Sequence, residues 1–150
     1  MQLKIESHSS QITLGITTLD VAEGFHLDYY LEFFIQARKE IEFTLKYCLR
    51  NDQFDDMIYF LEAVSLGKHE IDNLAVDWPE NYIDIVFYYD RSLVEFHLYF
   101  KEYCDYICLR FNLDEINYLI TFLSLVRGDI TLEDERVKSL LNLHRLGDNL

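Results

Sequence analysis

Five histidines (His8, His26, His69, His97 and His144) and three cysteines (Cys48, Cys104 and Cys108) could serve a metal or a covalent reaction. The histidines are scattered, and none shows the short His/Cys spacing of a zinc site. Cys104 and Cys108 are four apart on a strand-like segment, so they share a face but lie about 13 Å apart along it. That is too far for joint coordination. No Gly-x-Ser-x-Gly occurs, and the five glycines are isolated, so neither a nucleophile elbow nor a phosphate loop is present. An enzyme would need Cys48, Cys104 or Cys108 joined by folding to a histidine such as His97. The carboxylate groups Asp55/Asp56, Asp114/Glu115 and Glu133-Asp134-Glu135 all stand where helices begin. The helix dipole favours acids there without any catalytic role. The residues therefore predict no catalytic group, no cofactor and no metal.

Charge is the stronger signal. The chain carries a net charge of −14. That argues against nucleic acid and anionic membranes as partners, and it suits either a basic partner or simple solubility. The acids are unevenly placed. Residues 5 to 37 contain Glu6, Asp20, Glu23, Asp28 and Glu32 but no Lys or Arg. Residues 69 to 90 contain Glu70, Asp72, Asp77, Glu80, Asp84 and Asp90, again with no Lys or Arg, and include the only tryptophan, Trp78. An exposed aromatic among acids is a good anchor for a basic protein surface. Glu70, Asp72, Asp77, Trp78, Glu80 and Asp84 are therefore the expected partner-binding residues. The competing reading has Trp78 packed over a sheet edge among merely solvated acids.

These residues must be carried by a scaffold, and the chain repeats part of itself. Residues 54–71 align with 113–130 with 5 identities in 18 positions, among them Asp55/Asp114, Tyr59/Tyr118 and Ser65/Ser124. Cys48-Leu49-Arg50 matches Cys108-Leu109-Arg110 just upstream, one residue out of step. Ile12–Val21 reads as a strand, as does Tyr29–Ala37. Ile41, Phe43, Leu45, Tyr47 and Leu49 alternate with polar residues, which predicts a strand with one buried face. Arg38-Lys39 marks the turn before it. Asp52 as N-cap, the spacing of Phe54, Met57, Leu61 and Val64, and Gly67 as stop predict a helix. Residues 69–81 read as a loop.

Further on, Ile83–Tyr89, Val94–Lys101 and Ile107–Phe111 read as strands, with a turn at Asp90-Arg91-Ser92. Asn112 and Glu115 have the form of a capping box for a second helix, which Gly128 ends. A last helix over 132–146 would be capped by Thr131, ended by Gly147, and present Val137, Leu140, Leu141 and His144 on its apolar side. The expectation is one α+β domain over 1–150. It has an antiparallel sheet built from two similar strand–strand–helix halves (about 29–71 and 83–130), helices on one face, and a C-terminal helix.

Half of the residues are apolar, enough for a sizeable core. Three cysteines cannot all pair within one chain, and their strand-like surroundings predict buried free thiols in a reducing cytoplasm. The N-terminus has no signal-peptide pattern, and no apolar run reaches the roughly 20 residues of a membrane helix. A soluble, cytoplasmic protein is expected.

The layout over residues 10–128 resembles small bacterial immunity proteins of polymorphic-toxin and contact-dependent growth inhibition systems. The resemblance rests on Asp52–Leu66, the alternating Val94–Phe111 hairpin and Asn112–Leu125; the 132–146 helix lies outside it. It implies a protein without catalysis that binds a cognate toxin domain, often a basic nuclease, and blocks it. An oligomeric structural or adaptor protein is the alternative expectation. There, the aromatic residues on both faces of 29–35 and 82–89 would form a homo-oligomer interface.

Overall fold

The computed structural model describes residues 1–6, 10–20, 27–37, 40–68, 72–78, 81–100 and 105–148. The chain is α+β and divides into two compact units. One comprises residues 1–48 with 121–150, the other residues 49–120.

The first unit is built on a five-stranded antiparallel sheet. Strands β1 (Gln2–Glu6), β2 (Ser10–Asp20), β3 (Leu27–Ala37) and β4 (Ile41–Leu49) follow one another as a meander. Period-2 alternation sends Leu3 and Ile5, then Ile12, Leu14 and Ile16, then Leu31, Phe33 and Ile35 into the interior. Register pairs Leu3 with Leu14 and Leu14 with Phe33, so the buried face is continuous across three strands. Phe33 meets Tyr47 of β4 edge-on at 5.9 Å.

The second unit holds helix α1 (Asn51–Ser65) and a four-stranded meander. Its strands are β5 (Asn73–Trp78), β6 (Asn81–Tyr88), β7 (Leu93–Phe100) and β8 (Asp105–Asn112). Ile83, Ile85 and Phe87, Val94, Phe96 and Leu98, and Leu109 and Phe111 form its buried face. Helix α2 (Leu113–Arg127) follows β8, as α1 follows β4. The repeated sequence thus corresponds to a repeated plan, a four-stranded meander entering a helix. Helix α3 (Glu135–Asn142) and the two-residue β9 (Leu146–Gly147), paired with β1, close the chain.

The helix ends explain their sequences. Asn112 and Glu115 form the expected capping box: the Asn112 side chain accepts from the Glu115 N–H at 2.9 Å, and Glu115 accepts from the Asn112 N–H at 2.8 Å. Gly67 and Gly128 both take positive φ, 71° and 86°. Each closes its helix with the same pair of backbone bonds, Gly67 to Val64 with Lys68 to Ala63, and Gly128 to Leu125 with Asp129 to Ser124. The turn at Asp90-Arg91-Ser92 is also present, as a 3₁₀ turn ending with Ser92 at φ 48°.

Other expectations are corrected. Two sheets form, not one. Asp52 lies inside α1; Arg50 is the cap, its N–H bonded to the Gln53 side chain at 3.0 Å. The 69–81 stretch is not all loop: Asn73–Trp78 is a short strand in which Leu74, Val76 and Trp78 alternate with Asn73, Ala75 and Asp77, and it pairs with β6. The last helix is shorter, capped by Asp134 rather than Thr131, and closed by His144 at φ 54° rather than by Gly147. Val137 and Leu140 are buried there, but Leu141 and His144 are exposed. In β4 only Tyr47 and Leu49 are buried; Ile41 and Phe43 stay exposed because β4 is an edge strand. Arg38 and Lys39 lie outside the described residues.

Asn112→Ala removes the α2 cap. It is expected to cost about 1 kcal/mol, lowering Tm by roughly 2–4 °C in a thermal melt.

Candidate functional site

The open face of the four-stranded sheet brings together a histidine, a cysteine and a buried carboxylate, His97, Cys108 and Glu95. Because facing residues of antiparallel strands share a side, register orders them in rows. Tyr82 stands opposite Tyr99, which stands opposite Tyr106. In the next row Asp84, His97 and Cys108 are opposite one another, and in the third Val86, Glu95 and Arg110.

The first row is an aromatic ladder. Ring centroids of Tyr82 and Tyr99 are 5.0 Å apart, and those of Tyr99 and Tyr106 are 4.9 Å apart. Tyr106 also lies against the His97 ring at 5.1 Å. Tyr82 and Tyr99 are half-buried, whereas Tyr106 keeps 51% of its surface exposed.

The second and third rows meet at Glu95. Alternation along β7 places this residue on the polar side, yet it is only 8% exposed. A buried carboxylate needs partners, and Glu95 has them. Its Oε2 is 2.9 Å from His97 Nε2, which places the imidazole hydrogen on that nitrogen. Arg110 Nε donates to Oε1 at 2.9 Å. The Cys108 thiol and the Tyr88 phenol lie close enough to it to feel its charge. The His97 hydrogen bond, opposed by burial and joined by Arg110 and Cys108, holds the Glu95 carboxyl below its usual range. Its charge in turn pushes the Tyr88 phenol up.

Cys108 faces this carboxylate. Burial, then the Glu95 charge, push its thiol up. That is the opposite of the lowered thiol a nucleophile requires. Glu95, His97 and Cys108 nonetheless bring a carboxylate oxygen, an imidazole nitrogen and a sulfur within 4.8 Å of one another. Those are three atom types that divalent cations take as ligands.

The expected partner-binding residues fall beside this face. Asp84 is in the His97 row and accepts from Asn73 Nδ2 at 2.6 Å. Asp72 is exposed, and its carbonyl accepts from the Phe87 N–H at 2.8 Å. Asp77 and Trp78 occupy strand positions opposite Tyr82 and Asn81, not a loop. Glu70 and Glu80 lie outside the described residues, as does Cys104. Cys48 is half-buried and Cys108 is exposed, so Cys108 is not the buried thiol expected.

Sequence reading missed Glu95, Tyr106, Cys108 and Arg110 as a group. A signal existed: Glu95-x-His97-x-Tyr99 and Tyr106-x-Cys108-x-Arg110 are both period-2 series. Only the strand register sets one against the other.

A groove of about 450 Å³ lies on the five-stranded sheet, with Gln2, Gln11, Thr13, Phe34, Glu42 and Thr44 among the residues lining it. The Gln2 Oε1 atom is buried there without a hydrogen-bond partner among the described residues.

No known protein family and no curated protein matches the sequence. Among solved structures the chain is similar to the plant transcriptional regulator PBF-2, with a TM-score of 0.48 at 10% identity, covering 96% of this chain and 92% of that one. Nothing about activity follows from that likeness. No helix among the described residues is long and apolar enough to cross a membrane.

Because Glu95 has a depressed carboxyl, its bonds stabilise the fold above the unfolded-state value near 4.3, and that contribution is lost as pH falls through the lower folded value. Glu95→Gln is expected to cost about 2 kcal/mol at neutral pH in urea unfolding and progressively less in acid. A pH-independent cost would show that the carboxylate charge plays no part.

Proposed function

We propose that this is a non-catalytic binding protein that takes a basic protein partner on the open face of β5–β8, acting in the cytoplasm as an immunity protein that neutralises a toxin. The observation that carries the reading is the Tyr82–Tyr99–Tyr106 ladder, with its exposed end at Tyr106, in a chain of net charge −14. Tyrosines held by their neighbours lose little freedom on binding and are enriched at interface cores. Their faces attract Arg and Lys side chains. The acidic field speeds capture of a basic partner, which matters for an inhibitor of a lethal enzyme.

A second reading has its own observation. Ile41 and Phe43 are 46% and 41% exposed on the edge strand β4. An edge strand with exposed apolar side chains pairs readily with another chain. This supports self-association, in the role of an oligomeric adaptor without a toxin partner.

The first reading is tested by capture from the native host at low salt, followed by affinity measurement with the captured partner. A basic partner whose binding weakens about thirtyfold with Tyr106→Ala, the size of an interface hot spot, is expected. Binding indifferent to Tyr106→Ala overturns the choice of face, and absence of any basic partner overturns the role. Light scattering tests the second reading. A mass that rises with concentration and returns to monomer in Phe43→Lys is expected of it, and a constant monomer mass ends it.

A further inference from the structure

We propose that Glu95, His97 and Cys108 form a three-ligand site for a divalent cation of the zinc class, independent of whether the protein binds a partner. Each residue supplies one donor atom, and the three atoms lie within 4.8 Å of one another. In a tetrahedral zinc site the metal–ligand bonds run about 2.0–2.3 Å, which spaces the ligand atoms about 3.4–3.7 Å apart. The Glu95–His97 pair, at 2.9 Å, has only to open slightly, and the sulfur to close by at most about an ångström. Rotation of the side chains suffices, with no change in the strands.

The strands hold these residues firmly. Glu95 and His97 are two apart on β7 and point to one side, and Cys108 stands directly opposite His97 on β8. Two adjacent, mutually paired strands make a more rigid platform than loops do.

The surroundings supply the outer contacts that metal ligands need. Arg110 holds Oε1 of Glu95, leaving Oε2 for the ion. Tyr106 lies against the His97 ring and fixes its plane. An ion would replace the His97–Glu95 hydrogen bond, the imidazole hydrogen passing through solvent from Nε2 to Nδ1 so that the Nε2 lone pair faces the metal, and would displace the thiol proton, as bound cations do to coordinating thiols. The Cys108 proton leaves to solvent and its sulfur electron pair goes to the metal.

Charge and access are favourable as well. A dication with one thiolate and one carboxylate leaves the ligand set neutral, so Arg110 does not oppose it. The wider field of a chain at −14 attracts cations. Cys108 is exposed, which opens a path to the site. A mixed N, O and S set selects zinc or cobalt over magnesium and calcium, which prefer oxygen alone. Three protein ligands leave a fourth position open to solvent.

The test uses the full chain, reduced and stripped with EDTA, titrated with Co²⁺. One cobalt per chain is expected, with a near-ultraviolet thiolate-to-cobalt band and visible tetrahedral bands, all abolished when Zn²⁺ displaces the cobalt. Cys108→Ser should abolish the thiolate band. His97→Ala should weaken binding at least about tenfold. A Cys48→Ser/Cys104→Ser double variant should keep the band, with circular dichroism confirming that each variant is folded. Absence of saturable binding, or a band that survives Cys108→Ser, overturns the site. Neither result bears on Tyr106-dependent partner binding.

Discussion

Strand β7 is held in register between β6 and β8, and the chemistry of the second unit follows from that register. The pairing sets Phe96 between Ile85 and Leu109, and Leu98 between Ile83 and Ile107. Phe96 and Phe111 meet edge-on at 5.1 Å, both fully buried. Each large apolar side chain placed this way is worth about 1.5–3 kcal/mol of burial. A slip of one residue would turn every one of them to the other face and bring Glu95, His97 and Tyr99 inward. Hydrophobic burial on one side of the sheet therefore positions the polar groups on the other, without touching them.

Glu95 is where that arrangement becomes costly. Taking a carboxylate out of water costs several kcal/mol unless its oxygens are satisfied. Hydrogen bonds from His97 and Arg110 converge on it, with the Cys108 sulfur within 4.8 Å. Glu95 and His97 stand on β7 and Arg110 on β8, so the bonds tie these two strands together on their open face. An apolar residue at this position would serve packing at least as well.

The two halves share a plan and diverge in chemistry. Each runs through a four-stranded meander into a helix that ends at a left-handed glycine, Gly67 or Gly128. The first sheet carries amides and hydroxyls on its polar side: Gln2, Gln11 and Gln36 with Thr13 and Thr44. Its charges are tied locally, as in Lys46, which pairs with Glu32 at 3.0 Å and lies over the Tyr30 ring at 4.4 Å. The second carries tyrosines and the Glu95 cluster. A scaffold repeated in outline thus presents two different surfaces.

The chain by itself determined its elements wherever the signal is local. The Asn112/Glu115 box, the turn at Asp90–Ser92 and the glycines after α1 and α2 depend on neighbours within about five residues, and each forms as its sequence requires. The long alternating strands were legible for the same reason. Short or polar strands were not: β1, β5 and β9 are fixed by pairing with a partner strand, and a window of one strand does not contain its partner. The site lay beyond reach on the same ground. The sequence offered Cys108 and His97 only as one of several cysteine–histidine pairs that folding could join, and Glu95 as one polar residue of an alternating strand, until register set β8 beside β7. Only the tertiary structure joins residues 88, 95, 97, 108 and 110, because cross-strand distance is decided by pairing and not by separation along the chain.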